Sequence, residues 1–219
     1  MAHIRPETVT EIRIGSGECN SEKYTVLDLS KFKNLKTVVI GDGSYRRVNE
    51  VKLTGLNELE SVVIGDNSFS GEVGTFVLKN CPLVKELSIG SKSLTYFKEL
   101  QLENVPALES LKIGDDLLMA VKEVKLIGLR GLKSVEIGMN SFTYHKNSYG
   151  NDPNRHFYLK NCPKLKSLKI GRYSFSDYKV CEIENVDALE VIEMGDLNEE
   201  SHNFVYASLE LKSILIHNE

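Results

Sequence analysis

No run of apolar residues in this chain approaches the roughly 18 needed to cross a bilayer as a helix, so no helical membrane insertion is expected. The opening stretch, MAHIRPETVTEIRIG, lacks the apolar core of a secretory leader, and no Asn-x-Ser/Thr sequon occurs despite many asparagines. Net charge is small: 27 Lys and Arg against 31 Asp and Glu give −4, which excludes a general attraction to nucleic acid or anionic lipid. Cysteine is sparse. Cys19, Cys81, Cys162 and Cys181 show no C-x-x-C spacing, so neither a zinc ribbon nor a thioredoxin-type motif is present. The signatures of phosphate-binding loops, nucleophile elbows and metal-binding helices are all missing. No enzyme and no cofactor are expected.

What the sequence has is rhythm. An apolar-Gly dipeptide recurs with glycine at 15, 41, 65, 90, 114, 138, 171 and 195, with gaps of 26, 24, 25, 24, 24, 33 and 24. Internal repeats of this length indicate a solenoid. Numbered from the first apolar residue of each segment, as in LESVVIGDNSF (59–69) and LKSVEIGMNSF (132–142), apolar residues fall at positions 1, 4, 6 and 11. They return near 17, 19 and 22. The 4–6 and 17–19 pairs alternate with period two, so each reads as a short strand. Glycine or asparagine at position 21 (Gly55, Asn80, Asn104, Gly128, Asn161, Asn185) predicts a left-handed bend after the second strand. A ninth segment, LKSILIH (211–217), closes the chain.

These segments resemble the leucine-rich-repeat signature L-x-x-L-x-L-x-x-N-x-L, and the IGxxSF phrasing is similar to the BspA-like branch of bacterial surface and protist proteins. The resemblance implies protein recognition or adhesion and no catalytic set. Position 9 departs from it, being asparagine only at Asn67 and Asn140. The expected fold is mainly β: one leucine-rich-repeat solenoid over 1–219, about nine turns, two parallel sheets and little helix.

Equal positions in successive turns are neighbours about 4.8 Å apart. Position 2 reads Lys36, Glu60, Lys85, Glu109, Lys133, Lys166, Glu190, Lys212, and its alternation is best read as a register device, because a balanced ladder makes no steering field. All four cysteines fall in apolar rows and are expected to be buried and reduced. That favours the cytoplasm, with the cell surface as the alternative if this is a piece of a longer protein. Asp42, Asp66, Asp115 and Asp196 follow the position 7 glycine and are read as turn residues rather than a calcium row. GSGEC (15–19) has no following helix and is not a phosphate cradle. His145 and His156, with Asp152 between them, are read as solvated rather than metal-binding.

One beat is late. Between Phe142 and Phe157 lie 14 residues, where six separate Phe69 from Phe76, so an insertion at about 143–156 is expected to protrude. Five of the nine tyrosines fall between 144 and 178, beside two arginines, which singles out this region as a partner-binding surface. Its candidate residues are Tyr144, Tyr149, Arg155, His156, Tyr158, Arg172, Tyr173 and Tyr178. The expected function is recognition of a protein partner through the solenoid surface and this loop. The alternative is an adhesive array segment that associates end to end.

Overall fold

The structure is a computed structural model and describes residues 5–144 and 152–212. Each turn contributes two strands. β1 (Glu11–Ile14) and β2 (Val26–Asp28) make the first turn, β3 (Thr37–Ile40) and β4 (Glu50–Thr54) the second, β5 (Ser61–Ile64) and β6 (Thr75–Lys79) the third, and β7 (Glu86–Ile89) and β8 (Glu99–Glu103) the fourth. Turns five to eight are β9 (Ser110–Ile113) with β10 (Glu123–Ile127), β11 (Ser134–Ile137) with β12 (Asp152–Lys160), β13 (Ser167–Ile170) with β14 (Tyr178–Glu184), and β15 (Val191–Met194) with β16 (Ser208–Lys212). A short 3-10 turn, Pro6–Thr8, is the one helical element among the described residues.

The first strands of all eight turns form one parallel sheet, β1-β3-β5-β7-β9-β11-β13-β15. The second strands do not stay together. They form two parallel sheets of four, β2-β4-β6-β8 and β10-β12-β14-β16, with no hydrogen-bonded pairing between β8 and β10. This seam is not foreshadowed in the repeat pattern.

Alternation places the core. In β3, β5 and β7 the residues at positions 4 and 6 (Val38 and Ile40, Val62 and Ile64, Leu87 and Ile89) are buried while their neighbours are half-exposed. Their partners across the interior, such as Val51, Leu53, Phe76 and Leu78, are also buried. Aromatic residues at position 11 stack between turns: Tyr45 on Phe69 at 5.4 Å, Phe142 on Phe175 at 4.9 Å, and Phe175 on Phe204 at 5.0 Å.

The bend at position 21 is left-handed as expected, with φ from +52° at Asn104 to +69° at Gly128. Asparagines there also reach across turns: Asn104 donates to Asn80 Oδ1 at 2.9 Å and Asn185 to Asn161 Oδ1 at 2.8 Å. A second left-handed pair was not foreseen, at positions 9 and 11, including Asn67 and Phe69, Lys92 and Leu94, and Tyr173 and Phe175. Between them a buried serine stitches the turns. Ser68 Oγ donates to Gly41 O at 2.9 Å and accepts the N–H of Ser44 at 3.2 Å, and Ser93 and Ser174 repeat the device.

Lys92 is exposed at φ +58° and its side chain makes no hydrogen bond or ion pair among the described residues. A left-handed L-residue is strained by roughly 1–2 kcal/mol, partly offset in a glycine by its larger unfolded-state entropy. Lys92→Gly is therefore expected to raise stability by up to about 1 kcal/mol, read as a higher denaturation midpoint. A lower midpoint would show that the lysine contributes something this geometry lacks.

Glycine at position 7 has a different cause. A Cβ on Gly114 would stand 2.6 Å from Ser91 N, and one on Gly171 2.6 Å from Gly138 C, so the turns approach too closely there for any side chain.

Two expectations need correction at the end of the chain. The described residues make eight turns where about nine were expected: Leu211 pairs with Ile183 in the second sheet and so closes turn eight instead of opening another. The rest of the segment read as a ninth strand, 213–217, lies outside the described residues. Asp196 also leaves the position 8 row. Ser201 takes that place, accepting the N–H of Tyr173 on its carbonyl at 2.6 Å, so 196–200 are an insertion. The alternating L-E-L-K-S-I-L-I pattern offers two registers, and hydrogen bonding to β14 selects the earlier one.

Candidate functional site

The late beat is only partly a protrusion. Thr143 is buried with its Oγ1 2.7 Å from Ser176 Oγ, and β12 begins at Asp152, which pairs with Tyr178 ahead of a bulge that ends at His156. Both stems of the insertion thus belong to the scaffold. Tyr149 and His145 lie outside the described residues.

Arg155, expected on the surface, is 1% exposed. Its Nη1 donates to Asp177 Oδ1 at 2.9 Å and to Phe142 O at 3.1 Å, and Nη2 donates to Met119 O. The rings of Tyr144 and Tyr178 flank the guanidinium at 5.1 and 5.2 Å. Asp177 is buried too and accepts the Tyr144 N–H on its other oxygen at 3.1 Å. Buried charges persist when paired and hydrogen-bonded, and here the guanidinium has three acceptors and the carboxylate takes donors on both oxygens. Tyr178 is also buried, its hydroxyl donating to Val121 O at 2.6 Å, and burial pushes its pKa up. Arg155 and Tyr178 are therefore removed from the partner-binding surface, because both are interior parts of a clasp that fastens turns five, six and seven. A signal existed for Tyr178: it stands three residues after Phe175, as buried Val48, Phe97 and Val121 follow Tyr45, Leu94 and Leu118.

The remaining candidates fall into two groups. On the outer face of β12, His156 and Tyr158 are joined by a 3.0 Å hydrogen bond between Nδ1 and the phenol, with Lys160 Nζ 5.4 Å from the tyrosine ring. Lys160 bridges Glu182 at 2.5 Å and Glu184 at 3.3 Å. Tyr144, 55% exposed, caps the buried clasp at the start of the insertion. At the bend after β13, Arg172 lies 5.3 Å from the Tyr173 ring and pairs with Glu199, while Tyr173 stacks on His202 at 5.7 Å. Sequence reasoning missed His202 and Glu199, which the 196–200 insertion brings beside turn seven. Asp152 is held below the usual carboxylate range, first by the N–H of Asn154 and then by its side-chain amide, with Lys122 and Arg155 adding smaller attractions against burial.

No group of three or more His, Cys, Asp or Glu capable of holding a metal occurs among the described residues. The position 8 carboxylates are already engaged: Asp42 accepts the N–H of Asp66 at 2.8 Å and Asp115 that of Met139 at 2.6 Å. The charge ladder forms cross-turn pairs, Glu60 with Lys85 at 3.1 Å, Glu109 with Lys133 at 2.8 Å and Glu190 with Lys166 at 2.9 Å. All are exposed, so each contributes no more than about 1 kcal/mol, enough to penalise slippage rather than to hold the fold.

All four cysteines are free. Cys81, Cys162 and Cys181 are buried, and desolvation raises their pKa values, that of Cys181 to about 12. Cys19, expected to be buried with them, is half-exposed: it lies in the first turn, against which turn two packs on one side. A thiol reagent at pH 8 is therefore expected to modify one thiol quickly and three only on unfolding. Prompt reaction of all four in the native protein would contradict the burial.

Compared with protein-family models, curated proteins and solved structures, the chain has no match. The fold that stands is a parallel β-solenoid of about eight turns with a spacing near 24 residues.

Proposed function

We propose that this solenoid is a non-enzymatic protein-recognition or adhesion module of leucine-rich-repeat type, BspA-like in its phrasing, acting through the surface of turns six to eight. The observation that carries this reading is a pair of partly exposed aromatic and basic groups, His156 with Tyr158 on β12 and Arg172 with Tyr173 after β13, together with Tyr144, whose ring packs on the buried Arg155. Tyrosine offers large contact area with few rotatable bonds, arginine adds a planar charged fork, and side chains already held by neighbours lose less entropy on binding. The L-x-x-L-x-L spacing supports the repeat type. The test is affinity capture from source cells with the wild type and a Tyr144→Ala/Tyr158→Ala/Tyr173→Ala variant whose circular dichroism is unchanged. A protein retained by the first and lost by the second supports the reading. Equal recovery with both would overturn it.

A second reading, end-to-end association into an array, is favoured by the exposed interior positions of the last turn. Ile192, Leu209 and Leu211 are 46%, 56% and 60% exposed although they occupy core rows. Concentration-dependent dimers in sedimentation, abolished by Leu211→Lys, would support it.

A further inference from the structure

The seam between turns four and five has the properties of a strand-binding site. β8 pairs with β6 on one side and β10 with β12 on the other, but they share no ladder with each other. The defect continues into the bend. At position 21 the other turns are tied by an N–H to the carbonyl ending the next second strand, as from Asn80 to Glu103 and from Gly128 to Lys160 at 3.0 and 2.9 Å. The N–H of Asn104 makes no such bond. A cleft of about 640 Å3 opens along the seam, and a second opening of about 370 Å3 extends it past Asn104 to Gly128. Leu100 and Leu102, in rows whose members are buried in the neighbouring turns, are half-exposed at its wall.

Two causes keep the seam open. The bend leading into β10 is tied to turns six and seven: Met119 O accepts from Arg155 and Val121 O from the Tyr178 hydroxyl. If β8 and β10 paired in the register of their neighbours, Glu99 would also face Glu123, a like-charge pair that disfavours closure.

We propose that this cleft binds an extended segment of a partner protein as an inserted parallel strand that completes the second sheet. Two facing strand edges present alternating unpaired N–H and C=O groups, and another strand is the ligand that satisfies both. Its inward side chains are apolar at alternate positions, covering Leu100 and Leu102. Lys98 and Lys122 line the end where β8 and β10 begin, and neither is in an ion pair among the described residues. Glu99 and Glu123 follow them, Glu123 paired with Lys125 at 2.6 Å, so the acidic residues of the segment belong at its very start, before the level of the glutamates and within reach of the two lysines. Insertion separates β8 from β10 by two strand spacings, about 9.6 Å, with the continuous first sheet as the hinge. This surface is distinct from the aromatic patch and does not depend on it.

The probe is a fluorescein-labelled peptide copying residues 74–80, GTFVLKN, which natively flank β8, with two aspartates added at the N-terminus. Saturable binding is expected by anisotropy, weakened by at least about tenfold in Lys98→Glu/Lys122→Glu and unchanged in Tyr158→Ala. The same peptide N-methylated on alternate amides should not bind. In the free protein, amides of β8 and β10 should exchange faster than those of β4 and β6, and the peptide should slow them. Equal protection of β8 and β4 without peptide, no anisotropy change at millimolar peptide, or equal binding of the methylated form would each overturn the proposal.

Discussion

Arg155→Ala is expected to cost the fold about 3–5 kcal/mol, because it leaves the Asp177 carboxylate buried without its partner. The same change strips hydrogen bonds from Phe142 O and Met119 O, carbonyls that belong to two different turns. Burial decides the magnitude. Arg155 and Asp177 are both about 1% exposed, whereas the ladder pairs on the surface are screened and each contribute about 1 kcal/mol or less. Removing both charges, in Arg155→Met/Asp177→Leu, should cost less than Arg155→Ala alone, since apolar replacements leave no orphaned charge. Denaturant midpoints of the three proteins check this. A single-variant loss below about 1 kcal/mol would mean that water reaches the clasp.

Phe175→Ala is expected to cost a similar amount, about 3–5 kcal/mol. Its ring stacks on Phe142 at 4.9 Å and on Phe204 at 5.0 Å, and meets Phe157 at 5.0 Å and Tyr178 at 4.9 Å. Deleting it opens a cavity where the late beat, the clasp and the last turn converge. Alanine keeps the left-handed backbone, at φ +59°, as strained as before, so the loss reports the ring alone. Phe175→Leu should recover much of it. A change that left the midpoint in place would show that Phe204 and Phe157 close the gap.

The apolar rows carried most of the fold because burial in a stacked turn depends on side-chain direction, which a period of two records directly. Position 21 was legible for the same reason: glycine and asparagine both tolerate positive φ. Tyr45, Phe69 and Leu94 are left-handed without either residue, held there by their rings and side chains in the core, and nothing in their identity announces it. Arg155 misled because arginine is ordinarily a surface residue, and its acceptor Asp177 stands 22 positions away, a partnership no local window contains. The register of the last strand was ambiguous because leucine and isoleucine alternate through two consecutive segments. Tyr144, Tyr158 and Tyr173 keep part of their surface exposed, since they flank the rows rather than interrupt them.

The seam divides the array in a way that chain continuity conceals. In a stacked repeat, cooperativity passes only between nearest neighbours, so the weakest junction sets where the molecule can come apart. Between turns four and five that junction rests on β7 with β9, on bend hydrogen bonds such as Met119 N–H to Thr95 O at 3.0 Å and on shared core contacts, while every other pair of adjacent turns has strand ladders on both faces. The eight turns are therefore expected to part first at this joint, into two blocks of four, although one hydrophobic core runs through both. An applied pull along the axis would unzip the chain from this joint first.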